Sequence, residues 1–227
     1  MNKSLFFLLD VSGSMTVHGR DQALLTAMER LEIEVFPNVQ PPEDVNLTVR
    51  IIAFGGDKAT WVTGDEVDGV SYRDFRWSTE KSKLPPFSGA TPLGDAISKV
   101  VDSLYYKGNV TDINQSAPAI VLISDGGPTD NFEEQFRKAL DMKAGEESQG
   151  LFRRSLRTTI AVALPQNDPG RIMLQAFGRL SRSLKALGLK TYYDVSDNEL
   201  DQLGTIIMSL TQGLSETEID EVWQTDN

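Results

Sequence analysis

A doubly wound α/β fold is predicted, with a mostly parallel six-stranded sheet, one antiparallel edge strand and helices on both faces. Three observations carry this reading. Residues 4–9 (SLFFLL), 45–54 (VNLTVRIIAF), 118–124 (PAIVLIS) and 155–164 (SLRTTIAVAL) are apolar runs with the composition of strands buried on both faces. The segments between and after them carry apolar residues at helical spacing. Strands alternating with helices in this way imply parallel pairing through right-handed crossovers.

Taken in order, residues 4–9 form the first strand, and residues 21–36 a helix with Leu24, Leu25, Met28, Leu31 and Val35 on one stripe and Asp21 at the N-cap. Residues 45–54 form the second strand. Gly55, Gly56 and Asp57 supply a tight turn into a short third strand, 59–63, which must run antiparallel because the link is so short. Residues 64–90 show no clear element. Residues 92–106 read as a helix with Thr91 at its N-cap and Pro92 at its first position. After the strand at 118–124, the spacing of Asp130 and Glu133 matches a capping box for a helix to about residue 144. The strand at 155–164 precedes a helix starting at Pro169 and Gly170 and running to about 187, then a short strand, 191–195, and a last helix, 197–213. In that last helix Leu200, Leu203, Ile206, Ile207 and Leu210 face inward. One domain over 1–214 and an acidic tail over 215–227 are expected.

The composition narrows the function classes. Of 227 residues, 40% are hydrophobic and 24% charged, as in ordinary globular domains. The net charge of −11 disfavours nucleic acid and anionic membrane surfaces as partners. With no cysteine and one histidine, disulfides, thiolate chemistry and a zinc site are poor expectations. No apolar stretch approaches the roughly 20 residues that span a bilayer, and the run ending at Leu9 is too short for a signal-peptide core, so a cytoplasmic location is expected.

The first strand and the strand at 118–124 both end in an aspartate, Asp10 and Asp125. Winding in opposite directions from the first strand places these two side by side, at a switch point where ligands bind outside the carboxyl ends of strands. Asp10-Val-Ser12-Gly-Ser14 follows the one, and Asp125-Gly-Gly-Pro the other. A third segment, Ser88-Gly-Ala-Thr91-Pro, reaches the same edge. Two carboxylates and three hydroxyls are hard oxygen donors. That set suits Mg2+, which takes octahedral oxygens at roughly 2.0–2.1 Å, and would also take Mn2+. The alternation in the first loop points three oxygens one way, with Gly13 giving the backbone room to bend. Such a metal seeks a further anionic ligand, and an Asp or Glu of a protein partner is the natural donor.

The residues Asp10-x-Ser12-x-Ser14, Gly-Ala-Thr91-Pro and Ser-Asp125-Gly, in this order, resemble the metal-ion-dependent adhesion site of von Willebrand factor A domains, over about residues 3–213. The resemblance implies direct coordination by Ser12, Ser14 and Thr91, with Asp10 and Asp125 often acting through water. The texture of LLDVSGSM and GATPLGDAI is similar to bacterial tellurite-resistance-type members, which implies stress signalling with kinase or phosphatase partners.

Taken singly, each residue has a plainer explanation: Asp10 as a loop-bonding carboxylate, Ser12 and Ser14 as turn residues, Thr91 as a helix cap, Asp125 as the start of an ordinary turn. Only their convergence points to a metal. His18 reads as a solvated loop residue, Asp21 and Asp95 as cap or surface carboxylates, and Trp61, Tyr72, Phe75, Trp77 and Phe87 as packing over the edge strand. The expected function is a non-enzymatic, metal-dependent protein-binding module. The alternative is a Mg2+-dependent phosphohydrolase with Asp10 as nucleophile, but that chemistry wants an aspartate where Ser12 stands and a phosphate-binding lysine nearby. Nucleotide binding is a third reading, weakened by the absence of GxGxxG in the first turn.

Overall fold

The computed structural model describes residues 2–105, 118–142 and 150–216. The strands are β1 (Asn2–Asp10), β2 (Asn46–Gly55), β3 (Lys58–Thr63), β4 (Val70–Ser71), β5 (Ala119–Ser124), β6 (Leu156–Val162) and β7 (Tyr192–Val195). The helices are α1 (Arg20–Arg30), α2 (Trp77–Glu80), α3 (Leu93–Leu104), α4 (Phe132–Asp141), α5 (Leu151–Arg154), α6 (Gly170–Phe177), α7 (Arg182–Ala186) and α8 (Gln202–Glu216). The sheet order is β3-β2-β1-β5-β6-β7, with β4 also on β2. β1 pairs in parallel with both β2 and β5, so the chain winds outward from β1 in both directions, as the apolar pattern predicts. β3 is the antiparallel partner across the Gly55–Lys58 hairpin. The expected six strands are joined by a seventh, β4, whose two residues are too few to leave a periodic signal.

Each face of the sheet has its own core, because neighbouring residues of a strand point to opposite faces. Leu5, Phe7 and Leu9 pack with Leu24, Met28, Leu31, Leu203, Ile207 and Leu210, beneath α1 and α8. Phe6 and Leu8 pack with Ile97, Val100, Phe132, Leu174 and Phe177, beneath α3, α4 and α6. The aromatic residues of the 64–90 stretch do pack, in the cluster that also holds Val62 of the edge strand β3. Tyr72, Phe75 and Trp77 join the core on the α1 side, where Phe36 meets the Phe75 ring at 5.2 Å and the Tyr72 ring at 6.4 Å.

Several helix ends differ from expectation. α1 begins at Arg20 after a left-handed Gly19, so Asp21 lies inside the first turn and is not the cap; beyond Arg30 the chain continues as a π-turn, Leu31–Val35. α3 begins at Leu93 with Pro92 as N-cap, one residue later than the Thr91 cap expected. Asp130 makes no capping box with Glu133. Its carboxylate instead accepts from the backbone N–H groups of Gly94 and Asp95, capping α3 from a different segment. The helix expected over 169–187 is broken into α6 and α7, because Arg179 leaves the helix to pair its backbone with Arg157. α8 runs through Glu216, and residues 217–227, most of the expected acidic tail, lie outside the described residues, as do residue 106 and residues 143–144 at the expected helix ends. No helix among the described residues is long and apolar enough to cross a membrane.

Candidate metal centre

β1 and β5 run side by side with Leu9 opposite Ile123, so Asp10 and Ser124 end adjacent strands together. Parallel register thereby delivers a carboxylate and a hydroxyl to one point at the carboxyl edge of the sheet. Asp10 is fully buried, and both its oxygens are engaged. Oδ1 accepts from the Ser12 backbone N–H at 2.8 Å, and Oδ2 accepts from the Ser124 hydroxyl at 2.5 Å. The Ser12 and Ser14 hydroxyls lie 3.0 Å apart, and the Ser14 hydroxyl donates to Asp125 Oδ1 at 2.7 Å. Asp10, Ser12, Ser14 and Asp125 are thus one continuous polar chain across the switch point.

Thr91 sits in the third loop, which is tied to the other two through the backbone. Gly13 N–H donates to Gly89 O, and Ser88 N–H to Val11 O. On the other side Thr91 N–H donates to the Thr129 hydroxyl at 2.9 Å, and Thr129 N–H returns to Thr91 O. The Thr91 hydroxyl itself joins none of the hydrogen bonds that link the other four residues. The close approach of the loops needs Gly89: its φ of +67° is left-handed, and a Cβ there would stand 2.7 Å from Gly56 Cα. The first loop bends at Ser12 and enters a 3-10 turn at Gly13. The left-handed residues are His18 (φ 55°) and Gly19 (φ 79°), which redirect the chain into α1.

Burial dominates the electrostatics of Asp10. Burial pushes the Asp10 carboxyl up to about 6; the hydrogen bonds from Ser124 and Ser12 pull the other way, and the Asp125 charge adds a small push upward. No group of three or more His, Cys, Asp or Glu side chains among the described residues is arranged to hold a metal, so the donor set depends on its hydroxyls. Two carboxylates and three hydroxyls fit a hard divalent ion such as Mg2+ or Mn2+. Ser14 is exposed, whereas Asp10, Ser12, Thr91 and Asp125 are buried, so the site meets solvent at Ser14.

Three contributors escape the sequence reading. Ser124 ends an apolar strand and carries no signal of its own in the sequence; parallel register places it beside Asp10. Arg20 donates from Nη1 to Asp125 Oδ2 at 2.8 Å, and from Nε and Nη2 to the two oxygens of Asp197 at 2.8 and 3.0 Å. Asp197 lies in the turn between β7 and α8, and no local pattern links positions 20, 125 and 197. Asp95 accepts from Ala59 N–H at 2.6 Å, satisfying a donor of β3. His18 is exposed, as expected of a loop residue.

Comparison with solved structures defines the class: the chain has the von Willebrand factor A fold. A von Willebrand factor type A structure from Catenulispora acidiphila matches with TM-score 0.58 at 10% identity, over 93% of this chain and 42% of that one. The ArnB paralog VWA2 from Sulfolobus acidocaldarius matches with TM-score 0.55 at 18% identity, over 91% of this chain and 44% of that one. Proximal thread matrix protein 1 from the mussel byssus, with a zinc-occupied MIDAS motif, matches with TM-score 0.54 at 15% identity, over 93% and 46%. The chain spans less than half the length of each of these. No sequence-family profile matches it, and neither does any curated protein.

Proposed function

We propose that this chain is a metal-dependent protein-binding module, holding Mg2+ through Asp10, Ser12, Ser14, Thr91 and Asp125 and completing the shell with a partner's Asp or Glu. The observation that carries this is Asp10: a fully buried carboxylate whose hydrogen-bond donors are both neutral and which feels the repulsion of a second carboxylate, Asp125. A bound cation would offset the cost of keeping such a buried carboxylate ionised. The zinc-occupied MIDAS motif of the mussel protein supports a divalent ion in this chain. Mg2+ rather than zinc is favoured by the all-oxygen donors. The phosphohydrolase alternative is weaker, because that chemistry wants a second aspartate where Ser12 stands and a phosphate-binding lysine near the motif. A role beside a kinase or phosphatase in a tellurite-resistance-type system in the bacterial cytoplasm rests on the resemblance of LLDVSGSM and GATPLGDAI alone.

The test is Mn2+ binding, followed by the loss of the free-ion EPR signal, on the whole chain. Wild type takes up one ion, and Ser12→Ala/Ser14→Ala loses it. Uptake that is unchanged in the double variant refutes the site. For the partner, copurification that survives EDTA would remove the metal from the interface.

A further inference from the structure

We infer that Arg20 is a positioning residue that sets the metal affinity of this site: it occupies the Asp125 carboxylate as a resident competing cation, and Asp197 draws it away. The inference rests on the metal reading above and concerns its regulation.

Arg20 divides its guanidinium between two acids. One Nη donates to Asp125 Oδ2, while Nε and the other Nη form a two-pronged contact with Asp197. The side chain of Asp125 is fully shielded from solvent and that of Arg20 is 13% exposed, so the pair is poorly screened. The other Asp125 oxygen takes the Ser14 hydroxyl. A divalent ion seated at Ser12 and Ser14 therefore meets an Asp125 whose charge is already shared with a guanidinium. Removing Arg20 returns that charge to the ion. Removing the Asp197 charge leaves Arg20 one acid to pair with, and its whole attraction falls on Asp125.

The location argues that the arrangement is not incidental. Arg20 is the first residue of α1, where the positive end of the helix dipole disfavours a cation. It is delivered there by two consecutive left-handed residues, and at His18 the conformation costs strain. The plainer alternative is a structural clamp joining α1 to the turn before α8. A clamp predicts that breaking either contact affects folding alike and moves metal affinity in one direction or not at all. The competing-cation role predicts opposite signs.

The experiment is titration of the whole chain with Mn2+, without a partner, by calorimetry and EPR, with thermal melting to confirm folding. Arg20→Gln should bind Mn2+ about tenfold more tightly than wild type, the scale at which groups around metal ligands act. Asp197→Asn should bind more weakly than wild type, and in the Arg20→Gln background it should change the affinity little, because its effect runs through Arg20. Arg20→Lys keeps the charge but not the fork, and should stay closer to wild type than Arg20→Gln does. Weaker or unchanged binding by Arg20→Gln overturns the inference. If that variant does not fold, tighter or unchanged binding by Asp197→Asn overturns it equally, and weaker binding upholds it. If wild type takes up no Mn2+, the metal reading itself has failed, which the variant comparison cannot mimic.

Discussion

Asp10 closes β1 with no exposed surface, and its carboxyl titrates near 6 where an unfolded chain's would titrate near 3.8. The folded state holds that proton more tightly than the unfolded chain. The metal-free protein should therefore be most stable on this account below about pH 4, and lose stability as pH rises from about 4 to about 6, by about 3 kcal/mol in all. Denaturant midpoints in EDTA across pH 4–7.5 would show it as the difference between wild type and Asp10→Asn, which lacks the titrating group. A flat difference removes the buried carboxylate from the account. A divalent ion reverses the sign, because it binds the ionised form, so Mn2+ affinity should rise with pH through the same window. Ser124 belongs to the same scale: Ser124→Ala removes the donor to Asp10 Oδ2 and raises the Asp10 pKa further. The sequence exposes Asp10 plainly, as a charge at the end of an apolar run. It hides Ser124, whose importance depends on which strand lies next to β1.

Elements meet at this site through caps that cross between segments. α3 takes its N-terminal cap from Asp130, which lies in the loop after β5 and receives the N–H groups of Gly94 and Asp95 at 2.9 and 3.0 Å. The same loop carries Asp125 at its start and Thr129, which is bonded to Thr91. The cap is therefore also a strap holding two ligand loops together. Asp130→Ala should cost about 1–2 kcal/mol, as for other lost helix caps. Gly94→Ala makes the sharper test. Alanine in a helix is normally favoured over glycine by about 1 kcal/mol, yet a Cβ at Gly94 would stand 2.9–3.1 Å from the Asp130 carboxylate. The substitution should destabilise, as read from the urea midpoint, and do so less in the Asp130→Ala background. Local spacing suggested instead a box between Asp130 and Glu133, because pattern reading sees only neighbours in sequence. The same blindness explains the helix expected across Gly178, where the break comes from the pairing of Arg179 with Arg157, 22 positions apart in sequence, and not from helix propensity.

Across the whole molecule the hydrophobic pattern fixes the topology: four long apolar runs and the helical stripes between them leave β1 flanked by β2 and β5, and the switch point follows. Five oxygen-bearing residues then reach one edge from three segments far apart in the chain, and that much of the site is legible. What is not legible is the set of side chains arriving from elsewhere, Arg20 and Asp197 above all, since their meeting depends on how α1 and the β7–α8 turn seat on the finished sheet. The proposed ligands come from the loop after β1, the loop before α3 and the loop after β5, so a bound ion would cross-link all three. Its binding energy is available mainly to the folded chain, because the five residues come from three segments far apart in the sequence. At an ion concentration 100 times its dissociation constant the gain is about 2.7 kcal/mol. For a chain of this size each kcal/mol moves the melting temperature by about 2–4 °C. Saturating Mn2+ should therefore raise Tm by about 5–10 °C over EDTA in wild type, and by nothing measurable in Ser12→Ala/Ser14→Ala. An equal rise in both would mean that the ion acts at some other place on this acidic surface.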